Sequence, residues 1–68
     1  MTVSAQVKQT LASLKSAQAN LESFALNTQN KQAKDLYSGA AMSTQSICNT
    51  LQQRVTELEQ EEPQYKGF

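Results

Sequence analysis

Apolar and small side chains in the first half of the chain recur at Val3, Val7, Thr10, Leu11, Leu14, Ala17, Leu21, Phe24 and Thr28, a spacing of threes and fours. That period follows one face of an α-helix. Read as heptads, Val7, Leu14, Leu21 and Thr28 share one position and Val3, Thr10, Ala17 and Phe24 share the other. Lys8, Lys15 and Glu22 form a row at the same interval on the polar side. The pattern predicts a helix over about 3–27, with Thr2 or Ser4 as its N-cap.

Asn27-Thr28-Gln29-Asn30 breaks the pattern with side chains whose short polar groups bond to nearby backbone and favour caps and turns. A loop over about 28–30 is expected, with Asn30 or Thr28 capping the second helix. So short a connection makes the flanking helices antiparallel neighbours. The period resumes through Ala33, Leu36, Tyr37, Ala40, Ala41, Thr44, Ile47, Cys48, Leu51, Val55 and Leu58, and Pro63 cannot continue a helix. A second helix over about 31–61 is therefore predicted, followed by a non-helical tail, 62–68. Gly39 with Ala40 and Ala41 makes a narrow place in that helix. It is either an exposed glycine that a long helix tolerates or a point where another helix crosses.

Length then changes the picture. A chain of 68 residues has room for one domain, and chains below roughly 70–80 residues rarely bury enough apolar surface to fold alone. The usual supplements are disulfides, a metal or a partner chain. One cysteine makes no internal bridge, and the absence of histidine removes the usual zinc ligand sets. Self-association is the supplement left. Hydrophobic residues at 38 %, with only two Gly and one Pro, argue for a folded chain over a disordered one.

Net charge is zero, but the signs are divided. Lys8, Lys15, Lys31 and Lys34 face only Glu22 in residues 1–34. Asp35, Glu57, Glu59, Glu61 and Glu62 outweigh Arg54 and Lys66 in residues 35–68. The halves should attract, and six unclustered basic residues make a poor nucleic-acid surface. No apolar run approaches the ~20 residues that span a bilayer, and MTVSAQVKQT lacks the basic and apolar regions of a secretion signal. A cytoplasmic protein is expected, and a lone thiol suits that compartment.

Candidate chemistry is sparse. Without histidine the commonest catalytic base is missing, and the lysines fall on polar faces, in the loop or in the tail. Cys48 lies beside Ile47 and Leu51, where a thiol acts as a small hydrophobe. Glu57, Glu59, Glu61 and Glu62 read as a solvated helix end, and Lys8 at the start of the first helix should offset their unfavourable dipole interaction. There is no Glu-x-x-His pair for a ferritin-like metal site and no glycine-rich phosphate loop. No catalytic, metal or cofactor residue is assigned. The ten Gln, seven Ser, six Thr and four Asn give a surface of amides and hydroxyls with little long-range repulsion, which favours self-association.

The stretches VKQTLASLKSAQANLESFAL, NKQAKDLY and EQEEPQYKGF resemble a family of short proteins from endospore-forming bacteria known as domain of unknown function sixteen fifty-seven. The resemblance runs over essentially the whole chain. It implies a spore-associated protein whose relatives' genes lie near those of spore membrane channel proteins, and similar domains are joined to an integral membrane protein of the spore. It implies no enzymatic activity, and it assigns no cofactor.

The expected fold class is all-α: an antiparallel two-helix hairpin dimerising into a four-helix bundle. Self-association is assigned to Val7, Leu11, Leu14, Leu21, Phe24, Tyr37, Ile47, Leu51, Val55 and Leu58, with Tyr65 and Phe68 as tail contacts. The expected role is a non-enzymatic structural or adaptor protein of the sporulating cell or spore. Its partners would be a second copy of itself and a spore membrane protein, with no nucleic acid. The alternative is a small-molecule or lipid carrier, with Ala17, Ala33, Ala40 and Ala41 leaving room inside a four-helix dimer.

Overall fold

In the computed structural model, residues 3–61 are described. They form two helices, α1 (Val3–Asn27) and α2 (Lys31–Glu61), with no strand among the described residues. The tail aromatics Tyr65 and Phe68 and the candidate cap Thr2 lie outside the described residues. Ser4, the other candidate cap, is inside α1 and buried.

The connection is three residues long, and its chemistry is local. The Thr28 N–H donates to the Phe24 carbonyl at 3.0 Å, extending the helical bonding by one residue. The Asn30 side chain then accepts from the Ala33 N–H at 2.9 Å, and its carbonyl accepts from the Lys34 N–H at 2.9 Å. Asn30 is therefore the N-cap of α2, satisfying a donor that the first turn leaves unpaired. The Asn30 N–H donates to Thr28 Oγ1 at 3.3 Å, so the other candidate cap braces the turn instead.

Contact between the helices runs in opposite sense along them. Lys8, early in α1, pairs with Glu59, late in α2. The Phe24 and Tyr37 rings meet beside the connection. Between these points Leu11 packs in one buried cluster with Cys48 and Val55, and Val7, Leu14 and Leu51 close over it.

The seam is made of two rows from each helix. In α1 it comprises Ser4, Val7, Leu11, Leu14, Gln18, Leu21 and Ala25; in α2, Tyr37, Ala41, Thr44, Cys48, Leu51, Val55 and Leu58, all buried or partly buried. The steps alternate strictly between three and four, the period of a coiled-coil seam. This corrects one expected row. The second row of α1 is Ser4, Leu11, Gln18 and Ala25, whereas Val3 and Phe24 are exposed and Thr10 and Ala17 lie out with them. The two candidate rows flank Val7, Leu14 and Leu21 on opposite sides, and α2 meets the one holding Leu11.

The resulting rod measures 53 × 16 × 11 Å. Its radius of gyration is 15.9 Å, against about 11 Å for a compact chain of this length. Among the described residues the buried apolar side chains are Leu11, Ala25, Ala41, Cys48 and Val55, of which Val55 at 1 % exposure is the most enclosed. Gly39 sits on the outer face of α2, where a Cβ would meet nothing within 4 Å. It is not a crossing point between α1 and α2.

Candidate functional site

Two polar side chains of the seam bond within their own helices. The Thr44 hydroxyl donates to the Ala40 carbonyl at 2.8 Å, and the Gln18 amide donates to the Glu22 carboxylate at 3.2 Å. Among the described residues, no buried side-chain nitrogen or oxygen lacks a hydrogen-bond partner. Buried polar atoms left unpaired are costly, and active sites often hold such groups. The seam is accordingly a packed contact between α1 and α2. Cys48, the free thiol, is enclosed there.

The charged residues lie outside the seam. Lys8 and Glu59 join the helices across one flank, Lys31 pairs with Asp35 at 3.3 Å, and Arg54 pairs with Glu57 at 3.1 Å. The last two are pairs within one helix on open surface, of the kind that contributes little to stability. No group of three or more His, Cys, Asp or Glu among the described residues could hold a metal ion. No described helix is long and apolar enough to cross a membrane.

What stands out on the surface is apolar. Val3, Phe24, Leu26, Leu36, Met42 and Ile47 are at least half exposed, Leu26 reaching 81 %. Four of the six lie within a few turns of the connection, whereas Lys8, Arg54, Glu57 and Glu59 gather towards the opposite end.

The residues assigned to self-association divide accordingly. Leu11 and Val55 are buried inside the chain, and Val7, Leu14, Leu21, Tyr37, Leu51 and Leu58 are partly buried along the seam. They hold α1 to α2. Phe24 and Ile47 alone of the ten keep about half their surface open, at 52 % and 50 %. Val3, Leu26, Leu36 and Met42 are not among the ten, because hydrophobic periodicity treats the whole apolar stripe as one surface and gives no reason to separate inward from outward members.

An open groove of about 470 Å³ lies beside the connection, lined by Glu22, Ala25, Leu26, Lys34, Ser38, Ala41, Met42 and Gln45. Its floor includes the two buried alanines, Ala25 and Ala41. Of the small residues expected to leave room for a ligand, only Ala41 lines it. Ala33 and Ala40 are partly buried and Ala17 is exposed.

Comparison with known proteins gives one family. A family model described as a protein of unknown function, DUF1657, matches residues 7–55. The match runs from Val7 in α1 to Val55, the most enclosed residue of α2. No curated protein and no solved structure matches the chain.

Proposed function

The chain belongs to the DUF1657 family, whose function is unknown, and from that premise we propose that it is a non-enzymatic helical hairpin that self-associates into a four-helix bundle. Its role is structural, or that of an adaptor in the sporulating cell or spore that acts with a spore membrane protein. The observation that carries self-association is the imbalance between the few buried apolar side chains and the exposed ones. Among the described residues five are enclosed, two of them alanines, while six remain at least half open to water. Two packed helices share one seam, so apolar residues on the outer rows are not covered by the other helix and are available to another molecule. The spore role rests on the family resemblance alone.

Light scattering coupled to size-exclusion chromatography, over a wide range of concentration, tests the self-association. The expected mass is twice 7.5 kDa. A chain that stays folded and monomeric when concentrated would remove the bundle. Cross-linking in sporulating cells, with identification of the linked neighbours, tests the adaptor role, for which a membrane protein of the spore is the expected neighbour.

One observation favours a second reading, that of a carrier for a small apolar molecule. The groove beside the connection has a volume of about 470 Å³ and Leu26 and Met42 on its walls, within the range of small-molecule sites. Binding there would raise the melting temperature in the presence of lipids or aromatic acids. An unresponsive melting temperature disfavours it.

A further inference from the structure

The two flanks of the hairpin differ in what they could accept as a neighbour. Beside the seam on the flank bridged by Lys8 and Glu59, the outer rows also carry Lys15 and Glu22 among amides. On the other flank, where Phe24 meets Tyr37, the rows read Val3, Thr10, Ala17 and Phe24 on α1 and Ala33, Ala40 and Ile47 on α2. That flank holds no charged side chain in either row before Arg54 and Glu61, which are of opposite sign.

We infer that this uncharged flank is the surface covered by a second copy of the chain, an inference that rests on the self-association reading above. Three observations choose this flank and this occupant. The first is its chemistry. The Thr10 hydroxyl already donates to the Gln6 carbonyl at 3.2 Å, so the polar side chain in the α1 row can lose water without losing its hydrogen bond. The opposite flank would have to desolvate Lys15 and Glu22, which is costly without matched partners.

The second is its shape. Val3, Phe24 and Ile47 project, at least half exposed, from rows otherwise made of Thr10, Ala17, Ala33 and Ala40. A two-fold contact joins one patch to its own copy, so the patch must supply both knobs and holes. These rows supply both, and the opposed charges of Arg54 and Glu61 at one end are compatible with either direction of approach.

The third is area. A standard stable interface buries about 800 Å² on each partner. One flank of a rod 53 Å long and 16 Å wide is of that size.

Equilibrium association of the full chain is compared for the wild type, Ile47→Glu, Thr10→Lys and, on the other flank, Met42→Glu. Ile47→Glu and Thr10→Lys should each raise the dimer dissociation constant by at least about tenfold, and Met42→Glu should leave it within about twofold. Thr10 is exposed, so Thr10→Lys tests the flank even if Ile47→Glu impairs folding. Helicity by circular dichroism at high concentration confirms that the compared species are folded. The flank assignment is overturned if the wild-type dimer tolerates both flank variants, or if Met42→Glu weakens it as much. A wild type that is monomeric at every concentration overturns the self-association reading instead.

Discussion

Lys8 and Glu59 form an ion pair that ties the second turn of α1 to the last turn of α2, at the end of the rod far from the connection. This bond between side chains of the two helices holds them in opposite sense at the open end. It also places a cation beside the carboxylates that the α2 dipole disfavours. Both side chains are about half exposed, so the pair is screened. A double-mutant cycle with Lys8→Gln and Glu59→Gln should give a coupling of only about 0.2–1 kcal/mol, shrinking in high salt. A coupling of several kcal/mol would mean that the pair is buried in the assembled state.

The seam predicts a sharp contrast between two leucines of α1. Leu11 is buried against Cys48 and Val55, while Leu26 is open to solvent. Leu11→Ala should cost about 2–5 kcal/mol, enough to unfold a small domain. Leu26→Ala should change stability by less than about 0.5 kcal/mol. Urea denaturation at a fixed chain concentration measures both. Equal costs would place Leu26 in a packed interior.

Asn30 holds the start of α2 through its bond to the Ala33 N–H. Asn30→Ala should lower stability by about 0.5–2 kcal/mol, and Asn30→Asp should retain most of it, because a carboxylate accepts the same bond and suits a helix N-terminus. Thermal unfolding monitored by circular dichroism distinguishes the two variants. Identical melting temperatures would show that the cap contributes nothing.

Gly39 gives the opposite sign. Its outward position leaves a Cβ free of contacts within 4 Å, and glycine in a helix interior costs about 1 kcal/mol relative to alanine. Gly39→Ala should therefore stabilise the chain by up to about that amount. If stability or association falls, another backbone occupies the outer face of α2 in the assembled protein.

Cys48 is free and enclosed between Leu11 and Val55. A thiol reagent should label it in the native protein far more slowly than in denaturant, because the thiol is reached only when the helices part. Labelling at equal rates in both would contradict the seam.

The positions of the helices and their connection were legible in the sequence, because local chemistry sets them. The run Asn27-Thr28-Gln29-Asn30 breaks the period, and a side chain three residues from an N–H caps it wherever the chain goes next. The pairing of Lys8 with the acidic end of α2 was legible for the same reason, since a short connection and opposite charges suffice to foresee it.

Only the tertiary structure decided which side of α1 faces α2. Val7, Leu14 and Leu21 have an apolar row on either side, one with Val3 and Phe24 and one with Leu11 and Ala25, and hydrophobicity alone favours the row with the aromatic ring. The outcome depended on both helices at once. Leu11 fits against Cys48 and Val55, and alanines at positions 25 and 41 are shut off from water only where the helices come close, which leaves no space for a phenyl ring. Phe24 turns outward against Tyr37, the ring centroids 5.7 Å apart. One helix carries the period, but the phase of its buried face is a property of the pair.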